Sequence, residues 1–401
     1  MTSPQREPVS SDRRRAAIGL SVAGIAIVAV IVGVFSGVVP DQQRGRDTES
    51  DREPSVDADH REGLMVDVQP TMQTDIVSGS GDVADSAVVW LHPTDRSKSL
   101  ILAGTKDENG GLHVLEIDGT TELEFLAIGA VNSIDIRYGF PYGGELIDLI
   151  ALTNRSDQEV QFFTVDPATR EVGQIGSHSI DHSDIYGLGL AHDRSDGTFY
   201  SIPNTEDGTV EQWEISADGT TINATMVRTI DVGSQTEGVV ADDVNGWLFV
   251  GEENVGIWKY ELDPSSGSSR AAVDSVSDNP DLAADVEGLT MYHESQATGY
   301  LIASSQGNSR FMVYERDSPH DYLGSFAITD NPDEAIDGVT STDGIFVTNR
   351  DTSAQFPNGV FVAHDGETSA ESTNYKLVPW ERIASALKLR DPDPNFDPRG
   401  L

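Results

Sequence analysis

Six short apolar, β-branched runs recur along this chain at a spacing near fifty residues, and nothing else in the sequence restricts its fold as tightly. They read LILAGT from Leu100, LIALTN from Leu149, FYSIPN from Phe199, WLFVGE from Trp247, YLIASS from Tyr300 and IFVTNR from Ile345. After a polar loop rich in Gly, Asn and Asp, each is followed by a second run: LHVLEI, VQFFTV, VEQWEI, GIWKYE, RFMVYE and GVFVAH. Paired runs of this kind are hairpins. Turns such as Asp118-Gly119 and Asp365-Gly366 supply residues that tolerate positive φ. A strand-rich unit of this length, repeated six times, predicts an all-β, six-bladed β-propeller; a two-sheet sandwich would not impose so regular a period. Residues 63–82 are expected to give the last blade a strand and so close the ring. The clearest helical pattern is WERIASALKL from Trp380.

The propeller is expected over residues 63–390, with a short tail at 391–401. The N-terminus is of another kind. Residues 1–15 end in Arg13, Arg14 and Arg15 and read as a basic cytoplasmic tail. Residues 16–39 are almost unbroken apolar sequence, long enough for the roughly 20 residues that span a bilayer, so they read as a transmembrane anchor or signal segment. Residues 40–62 are charged, contain Pro and have the composition of a flexible linker. The folded domain is therefore expected to be extracytoplasmic, held at the membrane only through this segment, or secreted if the segment is cleaved.

With 67 acidic and 26 basic residues the formal net charge is −41, which repels nucleic acid and anionic membrane surfaces and leaves cations as the natural partners. Most of these carboxylates are simply a solvated surface, so only acids at patterned positions carry weight. There is no cysteine, and with it goes any disulfide, thiolate site or cysteine nucleophile. The chain also lacks a GxSxG elbow, a Walker loop, an HExxH motif and a Rossmann fingerprint after a strand.

One position per repeat, before each LILAGT-type run, reads Asp85, Asp135, Tyr186, Glu237, Glu287 and Asp337. Equivalent positions of successive blades surround the propeller axis, so five carboxylates and a phenol should face one another. Such a ring is stable only with protons or hard cations among its members, and oxygen-only ligation favours calcium or magnesium. Taken singly, each acid is as well explained as a turn cap. A second ring, Lys106, Arg155, Thr205, Glu253, Gln306 and Arg350, brings three cations to the same rim. Together the rings suit a phosphorylated substrate, because metals and guanidinium groups both bind phosphate oxygens.

At these positions the sequence resembles the β-propeller phytases, the calcium-dependent alkaline 3-phytase family. The resemblance is carried by GDVADSAVVW from Gly81, NSIDIRYGFP from Asn132, LTNRS from Leu152, IYG from Ile185, SQTEGVVADD from Ser234, EENVGIWKY from Glu252, DVEGLTMY from Asp285, YLIASSQGNS from Tyr300, STDGIFV from Ser341 and NGVFVAHDGE from Asn358, with YKLVPWERIA closing the series. What it implies is calcium-dependent hydrolysis of the phosphomonoesters of myo-inositol hexakisphosphate (phytate), presented as calcium complexes, by metal-activated water at a site holding several Ca2+ ions. Carried over, Asp85, Glu237, Glu253, Asp285, Glu287 and Asp343 would be metal ligands of the catalytic site, and Tyr186 would bridge metal and substrate. Lys106 and Arg155 would bind phosphate. Asp82, Asp135, the Ile134 carbonyl and Asp337 look like ligands of calcium ions that hold strands together. The catalytic domain is expected to be monomeric.

Departures from the family pattern fall at Ser86 and Ala87, at Ser133, at Asp107 beside Lys106, and at Glu206, where a substrate-binding lysine is usual. They predict retained hydrolysis with weaker preference for densely phosphorylated inositols. Arg350 has no family counterpart and is a candidate compensating cation. The competing readings are a non-catalytic, calcium-stabilised surface propeller acting as a binding module, and a propeller lactonase with one buried metal and an apolar pocket.

Overall fold

The inner strands of each repeat are continuous apolar runs because both of their faces are covered, whereas the outer strands alternate. Ala84–Trp90 and Leu100–Thr105 are buried along their whole length; Glu122–Leu126 and Thr221–Asp231, at the outer edges of their sheets, expose every second residue or more. The computed structural model describes residues 63–75, 83–182, 184–368 and 372–401. The expected cytoplasmic tail, membrane segment and linker, and Asp82, lie outside the described residues. No helix among the described residues is long and apolar enough to cross a membrane.

Six sheets, antiparallel but for one added strand in the fifth, form the blades of a propeller. Their first strands are Ala84–Trp90, Val131–Tyr142, Ile185–His192, Thr236–Asp242, Val286–His293 and Ile345–Thr348. Each touches the first strands of both neighbouring blades, the sixth touching the first, so these strands surround the axis. Apolar side chains fill the space between blades; one cluster joins Trp90, Ile101 and Leu102 to Ile150, Phe163, Val362 and Leu377.

Ring closure uses residues from both ends of the domain. Met72–Gln73 pairs antiparallel with Asn374–Pro379 and becomes the outer strand of the sixth blade. Leu64–Val68 does something the repeat did not predict: it adds in parallel to Tyr322–Ile328 as a fifth strand of the fifth blade. The expected helix forms at Trp380–Leu387, and its buried face, Trp380, Ile383, Ala384 and Leu387, seals the fifth and sixth blades. There Trp380 stacks on Tyr292 with ring centroids 3.7 Å apart.

The sixth repeat is offset by one strand from the sequence alignment. In blades one to five the LILAGT-type run is the second strand, but Ile345–Thr348 is the first strand of its blade and Val360–Asp365 the second. Positions assigned by counting from Ile345 are therefore displaced.

The tail is clasped to the far ends of the inner strands. Arg399 makes two 2.8 Å contacts with the Asp148 carboxylate and donates to the Leu91 carbonyl at 2.7 Å. Arg96 pairs with Asp397, the Asp393 N–H donates to the Glu294 carbonyl, and Pro398 and Leu401 line a cavity with Tyr138, Val240 and Phe346.

Candidate active site

The start of each first strand has an irregular register. Pairing slips between Ala84 and Ala87, Val131 and Ile134, Ile185 and Leu188, Thr236 and Val239, and Val286 and Leu289. A bulge of this kind re-aims the side chain it contains, and bulges concentrate beside active sites. The residues so placed are Asp85, Asn132, Tyr186, Glu237 and Glu287. In the sixth blade the matching residue is Asp343, two positions before Ile345.

Glycines let the ring draw together. Gly187, Gly238 and Gly288 follow Tyr186, Glu237 and Glu287, and a Cβ on them would lie 1.8 Å from the Glu237 carbonyl oxygen, 2.2 Å from that of Glu287 and 2.6 Å from that of Asp343. On Gly344 it would lie 2.3 Å from Ser86 Oγ. Adjacent inner strands approach closely because these four residues carry no side chain.

The ring that forms differs from the expected one at two of six positions. Asn132 stands in the place assigned to Asp135: its Nδ2 lies 2.9 Å from Glu237 Oε1 and 3.3 Å from Asp85 Oδ1. Asp135, three residues on, accepts from Arg137 Nη1 at 3.0 Å and from the Leu190 N–H at 2.7 Å, within the channel wall. Arg137 also holds Asp243 at 2.8 Å, so the Asp135 charge is balanced away from the ring. Ile134 pairs with Leu152 of the adjacent strand, Glu145–Asn154, and lines the channel with Ser133 and Asp135. Asp337 likewise stands apart, paired with the fully buried Lys376 at 2.7 Å; its place in the ring belongs to Asp343.

Behind the ring lies the rim, and its register is written in one repeated backbone hydrogen bond. Lys106, Arg155, Glu206, Glu253 and Gln306 donate their N–H groups to the carbonyls of Val83, Ala130, Asp184, Gln235 and Asp285. Glu206 thus takes the position assigned to Thr205. In the sixth blade Gly366 makes the corresponding bond to Thr340. Arg350 is not at this mouth. It follows the far end of Ile345–Thr348 and donates to the carbonyls of Pro394 and Phe396 in the tail, so the structure does not bring it to Lys106 and Arg155.

Acids crowd at the centre. Single carboxylate oxygens of Glu237, Glu253 and Glu287, all three buried, lie within 4.8 Å of one another. Lys106 Nζ lies 2.7 Å from Asp343 Oδ2 and 3.4 Å from Asp85 Oδ2, and Gln306 Nε2 donates to Asp343 Oδ1 at 2.7 Å. Burial, then the charge of Glu237, pushes the carboxyl groups of Asp85 and Glu287 well above the usual range. The same causes push Glu253 up to about 7. The Tyr186 phenol is raised by burial and by Glu237, Glu287, Asp85 and Glu253, so it stays protonated and able to donate. Asp285 is half-buried, and its charge acts on Glu253.

The donor set fits a hard divalent cation. Glu237 Oε2, Glu253 Oε1 and Glu287 Oε2 are buried yet accept no hydrogen bond, and Asp85 Oδ2 has only the Lys106 ammonium at 3.4 Å; buried oxygens in this condition cost free energy unless a cation or proton meets them. All are oxygen donors of the kind calcium prefers, and among the described residues neither sulfur nor a histidine cluster accompanies them.

Fold and site together define a class of protein: a six-bladed propeller with a cation-competent ring of acids at one mouth of its channel and two basic side chains, Lys106 and Arg155, beside them. A family model described as Phytase matches residues 54–401, and the chain belongs to that family. It is 38% identical over 341 residues to the 3-phytase of Bacillus subtilis (strain 168), an overlap of 82% of this chain and 88% of that one. Among solved structures, a chain of the mitotic checkpoint complex is similar at 9% identity and a TM-score of 0.46, covering 78% of this chain and 95% of that chain. A chain of a nidogen–laminin complex is similar at 14% identity and a TM-score of 0.40, covering 71% of this chain and 94% of that chain. Both likenesses are too remote to bear on function.

Sequence reasoning missed Asn132, the hydrogen-bond bridge between Asp85 and Glu237. The signal was present: NSID begins its strand as ADSA begins the first, but a search for acids passes over an amide. The acid-glycine pair would also have marked the ring, with Asp343-Gly344 taken in preference to Asp337-Gly338.

Proposed function

We propose that this chain is a calcium-dependent 3-phytase, releasing phosphate from myo-inositol hexakisphosphate and acting outside the cytoplasm. One observation carries the reading: buried carboxylate oxygens of Glu237, Glu253 and Glu287 converge within 4.8 Å of one another, each of these residues keeping one oxygen without a hydrogen-bond partner, beside the cations Lys106 and Arg155. Membership of the Phytase family and the identity to a 3-phytase support the substrate. The apolar residues 16–39 support the location.

Asp85, Glu237, Glu253, Glu287 and Asp343, with Asp285 at the edge, would hold the calcium ions. Bound there, calcium supplies positive charge against the phosphate oxygens and makes water a better nucleophile at neutral pH. The chain's own groups do the rest. Lys106 orients the phosphoryl oxygens at the ring, and Arg155 holds a phosphate beside it, the guanidinium being shaped for two oxygens. Tyr186, with its proton retained, donates a hydrogen bond to the substrate. Asn132 and Gln306 fix the carboxylates of Glu237 and Asp343 by direct hydrogen bonds, so the ligands are arranged before the substrate arrives. Calcium-bridged phytate is the form this site would take, and the catalytic domain would act as a monomer.

Phosphate release from phytate, measured with calcium, after chelation and after calcium is restored, tests the reading. Loss on chelation and recovery on restoration are expected. Turnover that ignores the chelator would remove calcium from it, and no release under any condition would remove the enzyme.

A further inference from the structure

Arg155 faces the site with its guanidinium already occupied. Its Nη2 lies 2.5 Å from Glu206 Oε1, its Nη1 lies 3.3 Å from Asn132 Oδ1, and Cζ sits over the Tyr186 ring at 5.2 Å from the centroid. Two of those partners are ring residues. Glu206 comes from the equivalent rim position of the next blade, so the carboxylate reaches Arg155 across the blade boundary. Both side chains are part-exposed, 30% for Arg155 and 40% for Glu206, which leaves the pair open to a solute that offers a better anion. The charge of Glu206 also bears on Glu253, which places it on the same mouth as the acids.

Lys106 is placed differently. Its ammonium is drawn inward between Asp85 and Asp343, where it serves a phosphate at the ring itself. Arg155 stands to one side, where it would meet a second phosphate on the same substrate.

From this arrangement we infer that Glu206 is a specificity-determining residue: an internal counter-ion that occupies Arg155 in place of a neighbouring phosphate and so lowers this enzyme's preference for densely phosphorylated substrates. The inference rests on the phosphate-binding reading given above. A substrate with several phosphates must displace the Glu206 carboxylate to gain Arg155 and must place its own negative charge beside it. A simple monoester, which must seat its one phosphate at the ring to react, meets neither cost, whereas free phosphate can bind at Arg155 itself and reports the exchange directly. Exchange of one carboxylate for another anion at a part-exposed ion pair corresponds to a roughly two- to fivefold change in affinity.

The test uses the calcium-loaded full chain and the variants Glu206→Gln, Arg155→Ala and the double variant. KM and kcat are measured for phytate and for p-nitrophenyl phosphate, and binding of inorganic phosphate is measured by titration calorimetry below the solubility limit of calcium phosphate. Glu206→Gln is expected to lower the KM for phytate and the Kd for phosphate by roughly two- to fivefold, with a smaller effect on the KM for p-nitrophenyl phosphate. In the Arg155→Ala background the same change should do nothing. Unchanged phytate and phosphate affinities overturn the inference, as does an equal gain for both esters. A gain that persists without Arg155 also overturns it, because it would then be a general effect of removing one negative charge. If the unaltered chain fails to cleave phytate, the functional reading falls, while the phosphate titration still decides the role of Glu206.

Discussion

Lys106 Nζ and Asp343 Oδ2, from the first and sixth blades, lie 2.7 Å apart across the mouth of the channel. The pair joins the two blades at which the ring closes, and it also places a positive charge among acids that otherwise repel. Lys106 is thus a counter-ion of the ring, and in the proposed reaction it would also meet the substrate. Replacement by Met keeps the aliphatic stem and removes the charge. Lys106→Met should destabilise the chelator-treated protein by about 1–3 kcal/mol, the cost of leaving charged groups without their partner. It should matter less once calcium is bound, and it should raise the KM for phytate. Thermal melting with and without chelator checks this; equal destabilisation in both conditions would contradict it.

Glu237 is the neighbour that most raises Asp85, Glu253 and Glu287 after burial itself, and it sits at the centre of the repulsion. Glu237→Gln keeps the shape, leaves the partner Asn132 in place and removes one charge. Without calcium the variant should be more stable than the unaltered chain by roughly 0.5–2 kcal/mol, as when other unfavourable charges are removed. Its melting point should respond little to calcium, and phytate turnover should fall by roughly a hundredfold or more. Stability gained and activity lost in one substitution is the signature of a functional cluster. A variant less stable than the parent in chelator would mean that the carboxylate is there for structure.

The propeller was legible in the sequence because its strands are short and recur at nearly constant spacing. The ring was legible only where connections keep that spacing. In the second blade the step of fifty lands on Asp135, whereas the bulge that turns a side chain to the axis lies at Asn132; a bulge is a property of backbone pairing and leaves little trace in composition. In the sixth, residues 329–344 and 349–359 form longer connections than those of the earlier blades, so the same step chose Asp337-Gly338 over Asp343-Gly344 and carried Arg350 to the wrong mouth. Asp343 itself was reached through the family resemblance, since STDGIFV preserves the local pattern that the period blurs. Glu206 was noticed as a departure, but its partner Arg155 sits fifty-one positions away in the chain and only the fold reveals the pair.

His178 packs against Trp213 at 4.5 Å and Phe162 at 5.7 Å between ring centroids, with Nε2 3.0 Å from Ser201 Oγ. Burial pushes it down to about 4. Above the ordinary histidine range both folded and unfolded chains carry it neutral, so it adds no pH dependence there. As pH falls from about 6.5 toward 4 the unfolded chain takes up the proton and the folded chain does not, so stability declines across that window. His178→Gln removes the titrating group while retaining a polar contact for Ser201. Its melting temperature should fall less between pH 7 and 5 than that of the unaltered chain, with calcium held constant. An identical decline in the two proteins would show that His178 has no part in the acid sensitivity.

Far from the ring, Arg399 ties the tail to the second blade. Its guanidinium meets both oxygens of Asp148 at 2.8 Å, donates to the Leu91 carbonyl at 2.7 Å and lies over the Tyr138 ring at 4.5 Å from the centroid. Asp148 also accepts from Trp90 Nε1 at 2.7 Å, so one carboxylate gathers the tail, the first blade and the second. Inner strands of seven or so residues, each rising about 3.3 Å, set this clasp roughly 20 Å from the acid ring. Arg399→Ala should therefore cost about 2–3 kcal/mol, since it leaves the Asp148 carboxylate without its cation, and should lower Tm by about 2–4 °C for each kcal/mol. The KM for phytate should stay where it was. Melting curves and steady-state kinetics on the same preparation decide the matter: a loss of stability with unchanged KM places the tail in the closure of the propeller, and a raised KM with normal stability would mean that the two mouths of the channel are coupled.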